Sequence, residues 1–353
     1  MRTLLRPTGF VDSPFGHDGK LARLAGGLAW FASVELIHDD GTRELIPVAG
    51  IEDRFDEAMA ADWARLTSGR APLMLGERII RLDQPQVMGI VNATPDSFSD
   101  GGAYADAAAA AEAGARMAAA GAAIVDVGGE STRPGAAAVW EGDEIERTVP
   151  IIRQLAAGGT AVSVDTRKAA VAEAALAAGA RLVNDVSGLL WDERMAGVVA
   201  AAGVPVVLMH HQGDPTTMQD APRYSDVLVE VFEWLETRVA AAVAAGIERA
   251  KILIDPGLGF GKSIAHNLAL LNGLALFHGL GCGIVVGASR KRMIGALSNE
   301  APADQRLAGS LTLALKAVEQ GAQIVRVHDV PETVQALKVW RGLRDQALTP
   351  RGD

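Results

Sequence analysis

Polar and charged residues recur where short apolar segments end, between residues 92 and 328. In chain order they are Asn92, Asp126, Asp165, Asn184, His210, Asp255, Ser289, Lys291, Arg326 and His328. Any one of them could be an ordinary cap or turn residue. Their recurrence at corresponding positions instead favours a shared site. Short carboxylates and an amide would bind the N–H edges of a flat heterocycle, and the two cations would offset negative charge.

Two glycine-containing loops carry further polar groups. The loop "NATPDSFSDGG" presents Asn92, Asp96 and Asp100, and such oxygen ligands suit Mg²⁺ held jointly with substrate phosphates. The loop "GGESTRPG" presents Thr132 and Arg133 among glycines, where backbone N–H groups and a guanidinium can hold a phosphate. We therefore expect Mg²⁺ as the cofactor and a phosphorylated substrate.

The segments that precede these residues are apolar on both faces, as parallel strands covered by helices are. The predicted strands are residues 86–93, 122–128, 161–165, 181–186, 205–210, 251–256, 283–289 and 322–328. Alanine-rich helices are predicted between them, for example over 168–178, 225–245 and 303–320. Eight strand–helix pairs predict a (β/α)₈ TIM barrel, which gathers its strand ends on one face. An open doubly wound sheet is the alternative, but no G-x-G-x-x-G turn follows the first strand.

Several predicted helices end in a glycine that suits a left-handed C-cap. These are Gly121, Gly179, Gly203, Gly246 and Gly321. Pro331 suits the first turn of a final helix.

Residues 1–80 do not share the strand–helix rhythm, so we predict an appended α+β module there and the barrel over 81–353. Residues 27–50 read as two strands about an Asp-Gly turn, and residues 52–69 as a helix. Trp30, Phe31 and Trp63 are predicted to form the core of this module. No motif in the module carries chemistry.

The composition restricts the possible partners. The 353 residues are 49% hydrophobic and carry a net charge of −10, with 33 basic and 43 acidic residues, so nucleic acid is not expected. Cys282 is the one cysteine, which excludes a disulfide within the chain and fits a reducing compartment. The first residues lack an apolar signal core and no run predicts a membrane span, so a cytoplasmic protein is expected.

The motifs resemble those of the dihydropteroate synthase family. "MGIVNATPDSFSDGG" and "DVGGESTRPGA" are similar to its two signature loops, and "DTRK", "NDVSG", "LIDPGLGFGK", "GASRK" and "VRVHDV" follow in the family's order. The resemblance covers roughly residues 86–340. It implies a TIM barrel that joins p-aminobenzoate to 6-hydroxymethyl-7,8-dihydropterin pyrophosphate, releasing pyrophosphate. It also implies small-molecule substrates and a homodimer.

The resemblance implies roles for individual residues. Pterin binding falls to Asp165, Asn184, Asp255, Lys291 and Arg326, with Arg326 laid against the ring face. Pyrophosphate binding falls to Asn92, Arg133 and His328, with Asn92 also the metal ligand. The p-aminobenzoate pocket is formed by Phe98, Thr132, Pro134, Phe260, Ser289 and Lys291. Asp165, Lys291 and Arg133 are the catalytic candidates.

Some of these residues have simpler interpretations. Asp165 could be an N-cap near Thr166, Asp255 a turn residue before Pro256, and either Asn184 or Asp185 a loop cap. Asp126 could orient Arg133, support the metal from behind its ligands, or have a structural role.

Three points are less defined by the sequence. Of the consecutive basic residues Arg290, Lys291 and Arg292, at least one is expected on the surface. His211 departs from the methionine common in the family, and His210 and His211 lack the spacing of a zinc site. Phe98, Ser99, Thr132 and Pro134 are unaltered, which predicts sulfonamide sensitivity.

Two other functions remain possible from the sequence. A pterin-binding methyltransferase would share the Asp and Asn contacts to the ring but has no use for a pyrophosphate site. A non-catalytic pterin binder is disfavoured by the intact charged loops.

Overall fold

The computed structural model describes residues 2–93, 103–130, 139–213 and 221–349, with side chains from residue 107 onward in the second range. Two sets of elements are present. The first contains strands β1 to β6 and helix α1, and the second is a closed barrel.

The barrel confirms the predicted (β/α)₈ fold and excludes the open sheet, because its eight parallel strands close on themselves in the order β10-β11-β12-β13-β14-β7-β8-β9. The strands are β7 Gln86–Asn92, β8 Ile124–Gly128, β9 Val162–Asp165, β10 Leu182–Asp185, β11 Val206–Met209, β12 Ile252–Asp255, β13 Gly283–Val286 and β14 Ile324–Val327. Each is shorter than predicted because the terminal residues turn into the loops at the barrel ends.

Helices alternate with the strands around the barrel. They are α2 Ala103–Ala119, α3 Glu141–Ala157, α4 Ala169–Ala178, α5 Met195–Ala202, α6 Val227–Ala244, α7 Ile264–Asn272, α8 Arg292–Leu297, α9 Leu307–Glu319 and α10 Val330–Ala347. The helix predicted over 303–320 is divided into a 3-10 helix, Ala303–Gln305, and α9. Pro331 lies in the first turn of α10, as predicted.

The glycines predicted to end helices adopt the left-handed conformation. Gly179 has φ 118° and Gly203 has φ 63°, and each is the C-cap of its helix. A side chain on Gly179 would also meet Ala156, since a Cβ there would lie 2.5 Å from the Ala156 methyl carbon. The helix ends are therefore fixed by residues that the sequence identifies.

A hairpin closes the amino-terminal end of the barrel. Its strands are β5 Leu73–Leu75 and β6 Arg78–Ile80, paired antiparallel. Leu73, Leu75 and Ile80 are buried in one cluster with strand residues that include Met88 and Leu182. The hairpin thus supplies an apolar floor, so the opposite end of the barrel is the one available for a site.

The amino-terminal region contains a small sheet and one helix. Its strands are β1 Thr3–Val11, β2 Ala22–Arg23, β3 Trp30–His38 and β4 Arg43–Pro47, and its helix is α1 Glu57–Thr67. The predicted strand pair about Asp39–Thr42 is confirmed as β3 and β4. The prediction missed β1, which pairs with β3 along its whole length.

The aromatic residues of this region occupy its core as predicted, with one difference. Phe31 is fully buried, and Trp63 packs on it edge to face with ring centres 5.8 Å apart. Trp30 and Trp63 are both partly buried, but Trp30 does not belong to this core, and the guanidinium groups of Arg23 and Arg344 lie over its ring at 5.2 and 5.9 Å.

Arginines fasten the amino-terminal region to the barrel. Arg65 and Arg70 donate to backbone carbonyls of the 3-10 helix Leu274–Leu280 and of the residues after it, including His278 O at 2.9 Å and Cys282 O at 3.0 Å. Ala275 belongs to the apolar core of the amino-terminal region. The two sets of elements therefore share a core. No helix in the described part of the chain is long and apolar enough to cross a membrane.

Candidate active site

Most of the sequence-predicted site residues lie together at the carboxyl end of the barrel. Strand register sets Asn92 beside Gly128, Gly128 beside Asp165, and Asp165 beside Asn184. Phe98, Thr132, Arg133 and Pro134, with Asp96 and Asp100, lie outside the described residues. The predicted convergence of strand-end groups is therefore observed for the described members of the set.

Arg326 joins three strands at the centre of this end. Its Nε donates to Asp126 Oδ2 at 2.6 Å, and its Nη2 donates to Asp165 Oδ2 at 2.7 Å. Asn184 Nδ2 donates to the same oxygen of Asp126 at 2.9 Å. Two carboxylates thus fix the plane of the guanidinium, and one of them also fixes the amide of Asn184.

Burial gives these groups unusual electrostatics. Burial raises the pKa of Asp165 to about 7, although the neighbouring Arg326 lowers it. Burial opposes the charge of Arg326, yet Asp126 and Asp165 together raise its pKa above the ordinary value. Asp126 Oδ1 is buried and has no hydrogen-bond partner among the described residues. The cluster therefore keeps Arg326 charged while one carboxylate titrates near neutrality.

Asp255 ends β12 and makes a local turn contact. Its Oδ1 accepts the backbone N–H of Gly257 at 2.7 Å, as the turn interpretation predicts. It is not a helix N-cap, since α7 begins later, behind Ser263. Burial raises the pKa of Asp255, and Lys291, the Gly257 amide and Arg326 lower it.

Lys291 faces into the site and is not a solvated lysine. Its Nζ donates to Leu258 O and lies 4.7 Å from the centre of the Phe260 ring. Burial lowers the pKa of Lys291 to about 8, with Asp255 raising it and Arg326 lowering it further. Lys291 and Phe260, both predicted to line the p-aminobenzoate pocket, are therefore in contact.

The neighbours of Lys291 in sequence have other partners. Arg290 has φ 58°, and its Nε donates to Asp329 Oδ2 at 3.0 Å. Arg292 is exposed, which confirms that one of the three is a surface residue. The left-handed backbone at Arg290 turns the adjacent Lys291 toward the barrel.

Ser289 and His328 form a pair on neighbouring strand ends. Ser289 Oγ lies 3.0 Å from His328 Nδ1 and accepts the His328 backbone N–H at 3.2 Å. Ser289 thus sets the ring orientation of His328.

His210 and His211 are packed rather than set up as a metal pair. Both rings meet Trp234 edge to face, with centres 4.9 and 5.9 Å apart. Burial, with Lys262 and His211 nearby, lowers the pKa of His210 to about 2, so its imidazole is neutral. Among the described residues, no group of three or more His, Cys, Asp or Glu is placed to hold a metal ion.

Lys262 is a buried site residue that the sequence prediction missed. Its Nζ lies 2.7 Å from His210 Nδ1 and donates to Gly257 O at 2.9 Å and Phe260 O at 3.0 Å. Lys262 is the last residue of the motif "LIDPGLGFGK", but nothing in the motif indicates that its side chain folds back on the preceding loop.

Glu130 was also missed, although it begins the second signature loop. It accepts the Val139 backbone N–H at 3.1 Å, Arg167 Nη2 at 3.1 Å and Lys168 Nζ at 2.9 Å. Lys168 also donates to the buried Glu144. Glu130, two residues after β8, is thereby bound to Val139, two residues before α3, and to the two basic residues before α4. The available signal was a charged residue directly after the Gly128–Gly129 pair that ends the strand.

Two of the simpler interpretations are resolved. Asp185, not Asn184, is the loop cap, since it accepts the N–H groups of Ser187 at 2.7 Å and Leu189 at 3.0 Å. Asp165 is not an N-cap, because α4 follows Lys168 and the Asp165 carboxylate binds Arg326. Asp126 binds Arg326 and Asn184; Arg133, its other suggested partner, lies outside the described residues.

Asn92 ends β7 with its side chain exposed at the barrel mouth. An amide oxygen in this position suits Mg²⁺, which in proteins takes few protein ligands and completes its shell with water and phosphate oxygens. The residue present therefore fits a shared metal site.

Comparison with known proteins places this arrangement in a family. Residues 88–328 match the family described as pterin binding enzyme. The dihydropteroate synthase of Escherichia coli strain K12 is 48% identical over 259 residues, covering 73% of this chain and 91% of that protein.

Two solved structures from Xanthomonas albilineans are similar over the barrel. Its dihydropteroate synthase with 4-aminobenzoic acid superposes with a TM-score of 0.74 at 48% identity, covering 79% of this chain and all of that one. The same enzyme in complex with 7,8-dihydropteroate gives a TM-score of 0.71 at 45% identity, again over 79% of this chain. The chain therefore belongs to the pterin-binding enzyme family, among its dihydropteroate synthases.

Proposed function

We propose that this chain condenses 6-hydroxymethyl-7,8-dihydropterin pyrophosphate with p-aminobenzoate to give 7,8-dihydropteroate and pyrophosphate. The main structural support for this proposal is the ion network at the barrel mouth, in which Arg326 is held between Asp126 and Asp165 beside Asn184. The Escherichia coli relative supports the proposal by its name, and the Xanthomonas albilineans structures support it through the two ligands they contain.

The pterin would lie among the central groups. Asp255 uses Oδ1 for the Gly257 amide, so we assign Oδ2 to the amino and N–H groups of the pyrimidine edge. Asn184 would add a second contact on that edge, and Asp165 would face the other side of the ring. Arg326, whose plane is fixed by its two carboxylates, would cover the ring face.

The pyrophosphate would be bound beside the pterin by Asn92, Arg133 and His328. His328 is oriented for this by Ser289. Asn92 would hold Mg²⁺, which would supply positive charge to offset the charge that develops on the leaving group. Arg133 would do the same through a two-point contact from the second loop.

The p-aminobenzoate would bind at the outer side of the pterin. Phe260 and Lys291, which contact each other, would form one wall of this pocket, with Ser289 near it. Phe98, Thr132 and Pro134 would close the pocket from the two loops. The sulfonamide sensitivity expected from these residues is testable by inhibition that p-aminobenzoate relieves.

The reaction does not require a strong general base from the protein. The C–O bond to pyrophosphate breaks with its electron pair going to the leaving group, and the electron-rich pterin stabilises the resulting methylene cation. The arylamine nitrogen then forms the C–N bond, and its proton passes to water. The residues named here contribute by orienting the ring, placing the two reactants together and stabilising the departing charge. Lys291, poised between pterin and p-aminobenzoate, would be the cation nearest the new bond.

Release of pyrophosphate on mixing both substrates with Mg²⁺ tests the proposal. Release that requires p-aminobenzoate, with dihydropteroate formed in equal amount, is expected. A pterin-binding methyltransferase and a non-catalytic pterin binder would each release none. Asp255→Asn, assayed in parallel, distinguishes activity of this chain from a contaminating enzyme.

Further proposals concern assembly, location and organisation. A homodimer is supported by Val339 and Leu343, exposed one turn apart on α10, and light scattering of the wild type and of Leu343→Glu tests it. A cytoplasmic location is supported by the free thiol of Cys282, because disulfides are rare in reducing compartments. The division of the chain at residue 80, and the role of the part before it, stay predictions.

A further inference from the structure

The loop Pro256–Gly261, between β12 and α7, has a backbone that needs external support. Gly257, Gly259 and Gly261 have φ of 67°, 84° and 64°. The loop also packs closely against the backbone of residues 210–212. A Cβ on Gly257 would lie 1.8 Å from His210 O, and one on Gly261 would lie 2.3 Å from Gln212 O. Three glycines in the left-handed region leave the unfolded loop unusually free, so its folded shape depends on groups that bind its carbonyls and amides.

Side chains from outside the loop bind its backbone groups. Asn267 Oδ1 accepts the Gly259 N–H at 2.8 Å, and Tyr224 donates to Gly261 O at 2.9 Å. Lys262 donates to Gly257 O and Phe260 O from beneath the loop. Lys262 therefore spans both ends of the turn that carries Phe260.

Burial lowers the pKa of Lys262 well below its ordinary value, but the hydrogen-bond acceptors around its Nζ favour the ammonium form. Its Nζ faces three acceptors, the two carbonyls and His210 Nδ1, and an ammonium has three N–H donors. His210 is correspondingly the neutral tautomer with its proton on Nε2. Lys262 is 3% exposed, so solvent cannot replace these bonds.

The loop determines where two reactant-facing groups lie. Lys291 Nζ donates to Leu258 O, and the Phe260 ring lies under the same ammonium. A shift of the loop would move both groups at once. The hydrogen bonds of Lys262 go to the loop and to His210, and its charge also acts on Asp255 and Lys291, so its geometric influence on substrate would pass through the loop.

We infer that Lys262, with His210 beneath it, is a positioning residue that sets the p-aminobenzoate wall by clamping the loop Pro256–Gly261. The inference rests on the proposed function for the identity of that substrate. It assigns a role to a buried lysine that is not among the residues proposed to bind the substrates or Mg²⁺. Asn267 binds the same loop at the Gly259 N–H, so its substitution tests the role of the loop independently of Lys262.

The test compares Lys262→Met with Lys251→Met, a control at a partly exposed lysine that forms an ion pair with Glu248 outside the loop. The readouts are the KM for p-aminobenzoate, the affinity for the pterin substrate, the thermal midpoint and the fraction of active enzyme. Lys262→Met is expected to raise the KM for p-aminobenzoate about tenfold and to weaken pterin binding less than about threefold, because removing buried charged hydrogen bonds displaces the wall rather than the ring site. Lys251→Met should match the wild type.

A double-mutant cycle with Phe260→Ala separates positioning from general stability. If Lys262 acts through Phe260, Lys262→Met should raise the KM less than about twofold further in the Phe260→Ala background. A full tenfold increase in that background overturns the inference. So does a lower thermal midpoint with the KM of the active fraction unchanged.

Asn267→Ala keeps the test decisive if Lys262→Met does not fold. It removes the Gly259 amide contact and should raise the KM for p-aminobenzoate in the same direction, again without addition to Phe260→Ala. An unchanged KM in Asn267→Ala overturns the inference. Absence of pyrophosphate release by the wild type would instead overturn the proposed function, which distinguishes the two failures.

Discussion

Asp126 on β8 and Arg326 on β14, two strands that β7 separates, are bound to each other, with Arg326 Nε 2.6 Å from Asp126 Oδ2. The same carboxylate oxygen receives Asn184 Nδ2 at 2.9 Å. One buried oxygen therefore orients two of the groups assigned to the pterin. The binding site depends on a residue that need not touch the ligand.

Asp126→Asn should weaken binding of the pterin substrate about tenfold or more, equivalent to about 1.4 kcal/mol. The amide removes the charge that holds the Arg326 plane and can place an N–H against Asn184. Calorimetric titration with the pterin substrate measures the effect.

Asp185→Asn is the matched control for that substitution. Asp185 is equally buried and lies on a strand end, but its side chain caps the Ser187–Leu189 turn instead of binding Arg326. Asp185→Asn should lower the thermal midpoint and leave the pterin affinity within about twofold of the wild type. Equal loss of affinity in both variants would show that general disturbance, not orientation of Arg326, explains the result.

Asp255→Asn should abolish measurable pterin binding, because an amide can offer only one acceptor oxygen to adjacent donor groups. The fold should persist, since the Gly257 N–H can still bond to the amide oxygen. Circular dichroism and a binding titration test the two parts. Affinity within about threefold of the wild type, less than about 0.7 kcal/mol, would refute the assignment.

The activity should fall as the pH rises through about 8, because burial lowers the pKa of Lys291 to that value and its charge is then lost. Stability should respond in the opposite sense. The pKa of Lys291 in the folded state lies below its ordinary 10.5. The buried charge therefore lowers the free energy of unfolding fully below about pH 8, and this destabilisation disappears as the pH rises toward 10.5. Unfolding therefore does not explain the loss. Measurements of kcat/KM from about pH 6 to 10, with circular dichroism at each pH, test this.

Lys291→Arg is the control for the pH profile. Arginine stays charged, so this variant should have lower activity at neutral pH and no decrease centred near 8. A decrease near 8 that persists in the arginine variant would assign the titration to another group.

Arg70→Met should lower the free energy of unfolding by about 3 kcal/mol. Arg70 donates to Arg65 O, Ser68 O, His278 O and Cys282 O, and burial lowers its pKa to about 10. Its loss would leave barrel carbonyls unpaired at the shared core. Chemical denaturation of the full chain measures the change.

Arg78→Met, at an exposed arginine with one contact to Gly159 O at 2.9 Å, is the control and should lose less than about 1 kcal/mol. Pterin affinity should be unchanged in both variants. If Arg70→Met unfolds no more easily than Arg78→Met, the amino-terminal region does not support the barrel through this residue.

The sequence predicted the barrel and most of its rim from local patterns. Each strand is apolar on both faces and has a polar residue at or shortly before or after its carboxyl end, and parallel strands bring those ends to one face whatever their partners are. This is why Asp165, Asn184, Asp255 and Arg326 could be grouped before any contact was known. The amino-terminal region was less predictable, because β1 alternates weakly and pairs with a strand some twenty residues away.

The amino-acid sequence by itself determined which residues reach the rim. Only the tertiary structure decided how they pair: Arg326 between Asp126 and Asp165, Glu130 with Val139, and Lys262 beneath its own loop with His210. Such pairings depend on barrel closure and on side-chain rotamers, which bring together groups as far apart in sequence as Asp126 and Arg326. No local pattern encodes a partner at that separation, because the contact exists only once the closed sheet fixes both ends.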